Sequence, residues 1–204
     1  MTKTNIDIST EEKLKEAARV VFTRKGYAAT TVRDIAAEAN INLALVNYYF
    51  RSKEKLFDLI MAETIQKLFE KIRPVIYDET TTVTEKMEVI VDRYLDLLFA
   101  NPDFPLFIVN ELMSGAKRLP AMTDNGKMLL NSYFIKQLAA LRMEGTIKFH
   151  PVNVVMNMLG MIMFTFLPRP LLLKSGALDE KEFNAIVEER KKLIPVWLTQ
   201  IINQ

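Results

Sequence analysis

Three short segments with helical periodicity occupy residues 10–50, with a tight turn between the second and third. This layout constrains the fold more than any other feature of the 204-residue chain. In the first segment, Leu14, Ala18 and Val21 recur at the three- and four-residue steps of one helix face. Ser9 followed by Glu12 has the spacing of a capping box, so we predict that this helix begins there.

The second and third segments have matching start and stop signals. Thr31 with Asp34 repeats the capping pattern, and Asn42 is placed to cap the third segment. Asn40 stands between them, and asparagine tolerates the left-handed conformation that a tight turn needs. The small side chain of Ala36 would let the two helices cross closely. This layout predicts a helix-turn-helix unit.

The rest of the chain also has helical rather than strand-like periodicity. We predict one helix from Ser52 to Arg73, ended by the following proline, and one long helix over Met122–Met143. The fold class predicted is all-α, with about nine helices. The chain divides into a three-helix helix-turn-helix unit at residues 1–50 and a larger helical region at residues 51–204.

One stretch is free of charge over a length that could span a bilayer. Residues 149–168 contain no Lys, Arg, Asp or Glu. However, the stretch includes Pro151, Asn153 and Gly160, and its apolar part, Val154 to Leu167, is shorter than the ~20 residues that a span requires. We therefore predict a buried or interface helix and no membrane partner.

Composition excludes several kinds of site. The chain has no Cys and a single His, His150, and its six Gly form none of the usual phosphate-binding or nucleophile-elbow motifs. We predict no catalytic residues, no metal and no cofactor. The net charge is only +2, but residues 24–55 contain six basic and three acidic side chains, a local balance of +3 that suits phosphate contact.

Three consecutive runs resemble a known family: Thr30–Ala36, Ala39–Phe50 and Arg51–Phe57 are similar to the DNA-binding domain of the tetracycline-repressor (TetR) family. The run Tyr-Tyr-Phe-x-Ser-Lys-Glu-x-Leu at Tyr48–Leu56 is the most specific part. The resemblance implies that Thr31, Arg33, Tyr49 and Lys53 meet backbone phosphates. The DNA-binding residues that it implies are Thr31, Arg33, Asn42, Leu43, Ala44, Leu45, Asn47, Tyr48, Tyr49 and Lys53.

The chain departs from the family pattern at the turn and on the recognition helix. Asn40 stands where Gly is usual, and Asn47 stands where Tyr is frequent. Leu43 and Leu45 are apolar where polar residues are common. Leucine cannot hydrogen-bond a base edge, although it can touch a thymine methyl group, so we expect few direct base contacts.

Apolar side chains in the second half of the chain predict an effector pocket. Met side chains repack easily, and a cavity built from Met and Phe would be deformable. The candidate effector-binding residues are Phe99, Phe104, Phe107, Asn110, Met113, Met128, Met156 and Phe164.

The resemblance implies that residues 1–50 form a DNA-binding domain and that residues 51–204 form a ligand-binding (effector-binding) and dimerisation domain. It further implies a cytoplasmic homodimer, formed through the last two helices, that binds a palindromic double-stranded DNA operator. The function predicted is that of a repressor released by a small apolar or amphipathic effector. An alternative is control by a protein partner, which a closed, filled core would favour over an open cavity. An all-helical enzyme is the least supported class, because no metal cluster, triad or cofactor motif is present.

Overall fold

The computed structural model describes residues 3–113 and 120–203, and the regular structure in these two ranges is entirely α-helical. The described helices are α1 Lys3–Ala29, α2 Val32–Ala39, α3 Leu43–Phe50, α4 Lys53–Tyr77, α5 Val83–Ala100, α6 Phe104–Met113, α7 Pro120–Leu130, α8 Tyr133–Met143, α9 Val152–Phe166, α10 Arg169–Lys174 and α11 Glu180–Ile202. The all-α prediction is confirmed, with eleven described helices instead of about nine.

The three N-terminal helices enclose a small apolar core. Leu14, Val21 and Phe22 of α1 are buried against Ile35 of α2 and Val46 of α3. The first helix begins at residue 3 instead of after Ser9, so the predicted start was wrong. Its regular part ends at Gly26, which adopts a φ of 75° that side-chain-bearing residues rarely adopt.

The fourth helix connects the N-terminal helices to the rest of the molecule and runs through Pro74, so the predicted end at Arg73 was wrong. A proline inside a helix removes one hydrogen bond and costs about 3 kcal/mol. Ile72 and Ile76 lie on either side of it and are buried, which offsets this cost. The Arg93 guanidinium of α5 also donates to the Lys71 carbonyl in the same turn.

The long helix predicted over Met122–Met143 is two helices, α7 and α8. The chain breaks at Ser132, which is buried and whose hydroxyl accepts a hydrogen bond from the Ile135 amide as an N-cap. The break turns Phe134 and Leu138 into the core, where both are fully buried. Tertiary packing therefore overrode a continuous helical pattern. Helix α10 was not predicted, because Pro170 lies in its first turn, a position that tolerates proline.

The uncharged helix α9 packs against α5 and α11. Val154, Met158 and Ile162 of this helix are buried. The Arg190 side chain of α11 donates to the Thr165 hydroxyl at 2.7 Å and to the Met161 carbonyl at 2.9 Å. By length and hydropathy alone the segment Val152–Lys174 could cross a membrane, but the core helix of a folded domain passes the same test.

Candidate nucleic-acid interface

The turn between α2 and α3 is built on Asn40. This residue has φ 52° and ψ 45°, the left-handed conformation, and its N–H lies against the carbonyls of Ala36 and Ala37. The next amide, that of Ile41, donates to the Ala36 carbonyl at 2.9 Å. Asparagine thus supplies the left-handed conformation that glycine would otherwise supply, and the predicted tight turn is present.

The N-terminus of α2 is closed by a capping box. The Thr31 amide and hydroxyl both donate to the Asp34 carboxylate at 2.8 Å, and the Asp34 amide donates back to the Thr31 hydroxyl. Lys25 of α1 donates to the other oxygen of the same carboxylate at 2.7 Å. The hydrogen bond from Lys25, followed by those from Thr31, lowers the pKa of Asp34. The resemblance implies that Thr31 meets a phosphate, but both of its donors, the amide and the hydroxyl, are engaged by Asp34.

The recognition helix α3 has two distinct faces. Leu43, Val46, Tyr49 and Phe50 pack on the core. The opposite face is solvent-exposed and consists of Ala44, Leu45, Asn47 and Tyr48. Tyr48 is 77% exposed, and its ring meets that of Tyr49 edge-on with a centroid distance of 5.4 Å. The helix is capped by Asn42, whose carbonyl oxygen accepts from the Ala44 amide at 2.9 Å.

Lys53 lies at the first position of α4, but its ammonium group points back into the domain. The ammonium donates to the Tyr27 and Thr30 carbonyls, each at 2.9 Å, and lies 4.2 Å from the centroid of the Tyr27 ring. These contacts hold the connection between α1 and α2. The expected phosphate contact would require the ammonium to leave these partners.

The basic residues of this region fall into two groups. Arg24 pairs with Glu38 at 2.8 Å, Lys25 pairs with Asp34, and Lys53 is bound to carbonyls. The other three are Arg33, Arg51 and Lys55, whose exposed side chains make no ion pair within residues 3–113 and 120–203. The second group supplies the positive charge that is available to a phosphate backbone.

An apolar cavity of about 220 Å³ lies in the second domain. Its walls come from α4, α5, α6, α7 and α9, and the lining residues are Ile65, Leu68, Phe69, Ile72, Ile90, Tyr94, Phe104, Ile108, Leu112, Gly126, Leu129, Val155, Met158 and Leu159. The Tyr94 hydroxyl lies 3.7 Å from the Met163 sulfur, and burial raises the pKa of this tyrosine. None of the described residues that line the cavity is charged.

A contact at Tyr27 joins the three N-terminal helices to the wall of this cavity. The Tyr27 amide donates to the Asp103 carboxylate at 2.7 Å, just before α6 begins. The rings of Tyr27 and Phe57 have centroids 4.6 Å apart, and those of Phe57 and Phe107 are 5.6 Å apart. Burial raises the pKa of Asp103, and the hydrogen bond from Tyr27 partly opposes that shift. Helix α6 also contributes Phe104 to the cavity wall.

Comparison with known proteins assigns the helix-turn-helix region. Residues 14–60 match the family described as bacterial regulatory proteins, tetR family. These residues comprise most of α1, the whole of α2 and α3, and the first part of α4. The helix-turn-helix region of this chain is therefore similar to the DNA-binding domain of TetR-family regulators.

The relatives of this chain are regulators by name. A probable HTH-type transcriptional regulator from Bacillus subtilis, YttP, is 39% identical over 56 residues, which cover 28% of this chain and 27% of that protein. The nicotine-responsive transcriptional repressor HdnoR from Paenarthrobacter nicotinovorans is 29% identical over 129 residues, covering 62% of this chain and 64% of HdnoR. Both alignments span less than two thirds of the relative's length.

Solved structures extend the likeness in fold to the whole chain. The fatty acid degradation regulator FadR from Bacillus halodurans superposes with a TM-score of 0.60 at 21% identity, over 90% of this chain and 93% of FadR. GusR from Salmonella enterica gives a TM-score of 0.63 at 15% identity, over 96% of both chains. At these identities the comparison shows a shared fold and nothing about function.

In the helix-turn-helix region, some of the predicted DNA-binding residues are exposed, and others are partly buried or bonded to internal partners. Arg33, Asn42, Ala44, Leu45, Asn47 and Tyr48 are exposed. Leu43 and Tyr49 are partly buried against the core, and Thr31 and Lys53 have internal partners. Tyr27, which ties the domain to Asp103, was not predicted, because a contact 76 positions along the chain leaves no local pattern.

The structure brings only one of the eight predicted effector-binding residues, Phe104, to the cavity. Phe99, Met113, Met156 and Phe164 are between 50% and 83% exposed and lie on the surface. Phe107 is buried near Tyr27, Asn110 is exposed, and the Met128 carbonyl accepts a hydrogen bond from the Tyr77 hydroxyl beside the cavity wall. The sequence shows which residues are apolar, but not which of them face inward.

Proposed function

We propose that this chain is a cytoplasmic, homodimeric transcriptional repressor that binds a palindromic operator through α3 and releases it when a small apolar molecule enters the cavity. The observation that carries the proposal is the exposed face of α3 on a domain that matches the TetR family over residues 14–60. Arg33, Arg51 and Lys55 flank that face with available positive charge. The names of the relatives, which are regulators and repressors, support the same class.

The apolar surface of the last long helices supports a homodimer. Met156 and Phe164 of α9 are 64% and 69% exposed, and Leu193 and Val196 of α11 are 39% and 51% exposed. Exposed apolar residues on two helices that pack against each other are typical of a protein interface. Two copies joined there would place two recognition helices on the two halves of a palindrome.

The cavity supports a neutral, apolar effector over a protein partner. Among the described residues the lining is apolar except for Tyr94, so a charged ligand would lose its hydration without gaining a partner from them. A cavity of about 150 Å³ in another protein binds benzene. The 220 Å³ found in this chain therefore suits a molecule somewhat larger than benzene. HdnoR is nicotine-responsive by name, which supports control by a small organic molecule.

The route from cavity to DNA follows α6. An effector that moves Phe104 would also move Asp103, its neighbour, which holds the Tyr27 amide. Tyr27 in turn holds Lys53 at the start of α4, so the shift would reach the base of α3. The effector would change DNA affinity only through its differential affinity for the two arrangements.

The test of the proposal is capture of fragmented genomic DNA by the full-length protein at one fixed salt concentration, followed by sequencing. We expect one or a few short palindromes upstream of genes to be enriched. Capture spread evenly over all fragments, or no capture, would contradict a sequence-specific repressor. Salt must be fixed because phosphate contacts alone change affinity by orders of magnitude between about 50 and 200 mM salt.

A single charge on the dimer face tests the second half of the proposal. Phe164→Glu should give a monomer in sedimentation and weaken operator binding at least 100-fold, because a buried unpaired carboxylate is costly and one recognition helix binds weakly. The matched control is Met143→Glu, which adds the same charge at an exposed apolar residue on α8. A dimer that persists in Phe164→Glu would show that α9 is not the interface.

A further inference from the structure

The exposed face of α3 is unusual for a helix that reads bases. The helix carries no charged residue from Leu43 to Phe50. Its outward surface consists of the methyl group of Ala44, the isobutyl group of Leu45 (42% exposed), the phenol of Tyr48 and one amide, that of Asn47. Residues 44 and 48 are four apart and residues 45 and 48 are three apart, so the apolar groups form one continuous patch.

This composition removes the commonest way of reading guanine. Guanine is read in the major groove mainly by arginine or lysine, which donate two hydrogen bonds to its O6 and N7 atoms. The arginine that adjoins the helix in sequence is Arg51, which is the C-cap and has a left-handed φ of 59°. It lies at the opposite end from the N-terminal turn that Asn42 caps.

The groups that are present match the A·T pair. A thymine presents its C5-methyl group in the major groove, and aliphatic side chains make their specific contact there. An asparagine amide pairs with the N6 and N7 atoms of adenine through two hydrogen bonds. The Asn47 side chain makes no hydrogen bond within the described ranges 3–113 and 120–203, so its amide is available.

Internal packing fixes the patch in place. Tyr49 packs on the core and meets the Tyr48 ring edge-on, which limits where that ring can lie. Asn42 holds the Ala44 amide and thereby the first turn, from which Leu45 projects. The patch is therefore presented on a rigid surface, as specific readout requires.

We propose that the operator half-site is A·T-rich and that Leu45, supported by Ala44, recognises it by contact with thymine methyl groups, while Asn47 pairs with an adjacent adenine. This inference rests on the proposed function, since it requires that α3 enters the major groove. It adds the class of base pair that is read and names Leu45 as a specificity-determining residue.

The test uses DNA that differs by single methyl groups. The enriched palindrome is synthesised with each thymine replaced, one position at a time in both half-sites, by deoxyuridine, which lacks only the C5-methyl group. Burial of one methyl corresponds to about a fourfold change in affinity, so we expect about a fourfold loss per half-site at one or two positions and none elsewhere. The full-length protein is titrated at fixed salt.

The variant that links the methyl to its reader is Leu45→Ala. It should bind the thymine operator more weakly and show no further loss when deoxyuridine occupies the contacted position. Asn47→Ala is the matched variant. It should weaken binding, but it should still lose affinity when deoxyuridine replaces the contacted thymine. Circular dichroism melting of both variants confirms folding, which is expected because both side chains are exposed.

The outcomes separate the two levels of the argument. A specific palindrome whose affinity is unchanged by every deoxyuridine substitution overturns methyl reading and leaves the repressor proposal standing. A G·C-rich palindrome overturns it as well. Absence of sequence-specific binding overturns both. If Leu45→Ala still loses affinity when deoxyuridine replaces the contacted thymine, another residue contacts the methyl group. This result would overturn the assignment of Leu45.

Discussion

Replacing Gly126 by leucine should make the protein unresponsive to effector while it still binds DNA. Gly126 lines the cavity on α7, and a Cβ added there would meet no atom within 4 Å. A leucine side chain can therefore extend into the 220 Å³ space without forcing the helices apart. An apolar ligand would lose the volume that it needs, so its affinity should fall at least 100-fold.

The same substitution should stabilise the fold. Glycine inside a helix is less favourable than leucine by roughly 0.8 kcal/mol, and the added methyl groups fill space that is empty of partners. For a chain of this size, about 1 kcal/mol raises the Tm by roughly 2–4 °C. Operator affinity should be unchanged, because α7 packs on α4 and α8 and lies outside the helix-turn-helix unit.

The measurement uses toluene as a neutral apolar probe of the cavity. Toluene should raise the Tm of the native protein, since a ligand that binds only the folded state stabilises it by mass action. Gly126→Leu should show no such rise. Gly126→Ala is the control, because it gains the same helix propensity but leaves most of the cavity open and should keep the response. An unchanged toluene shift in Gly126→Leu would place ligand binding elsewhere.

The helix-turn-helix unit was predictable because its signals are local. Thr31 and Asp34 are three residues apart, and Asn40 with Asn42 mark the turn within the same short stretch. Each signal therefore depends only on backbone geometry that neighbouring residues impose. The exposed face of α3 follows from the same periodicity, once Val46 and Phe50 are assigned to the core.

The cavity was not predictable for the opposite reason. Its lining comes from five helices, and an apolar residue such as Phe164 or Leu68 has the same pattern whether it faces a cavity, a filled core or the surface. The break at Ser132 shows the same limit, because nothing in the 22-residue pattern from Met122 to Met143 indicates it. Only the long-range arrangement of helices decides these cases.

Lys53 shows how an assignment by family resemblance and a structure lead to different expectations. The resemblance implies that the Lys53 ammonium binds phosphate. In the structure, the ammonium donates to the Tyr27 and Thr30 carbonyls, each at 2.9 Å. These carbonyls lie 26 and 23 positions earlier in the chain, so no local sequence pattern predicts the contact. The two roles make different predictions for the same substitution.

Lys53→Met should lower the free energy of unfolding by about 2 kcal/mol, because hydrogen bonds from a charged donor contribute about 1.5–3 kcal/mol and the methionine keeps most of the apolar stem. Operator affinity should also fall, since the connection between α1 and α2 loses its tie to α4. The slope of log K against log salt concentration should stay the same, because no phosphate contact has been removed. Urea unfolding and DNA titrations at several salt concentrations measure both quantities.

Lys55→Met is the control that makes the slope interpretable. Lys55 is exposed, two residues further along α4, and has no ion pair within the described residues. Its substitution should leave stability unchanged and, if it meets phosphate, lower the slope by about two for a dimer, one per lysine lost. If Lys53→Met instead keeps full stability and lowers the slope by that amount, its ammonium leaves the Tyr27 and Thr30 carbonyls when DNA binds. The internal contacts would then be a resting position that the operator displaces, and the connection between α1 and α2 would be released on binding.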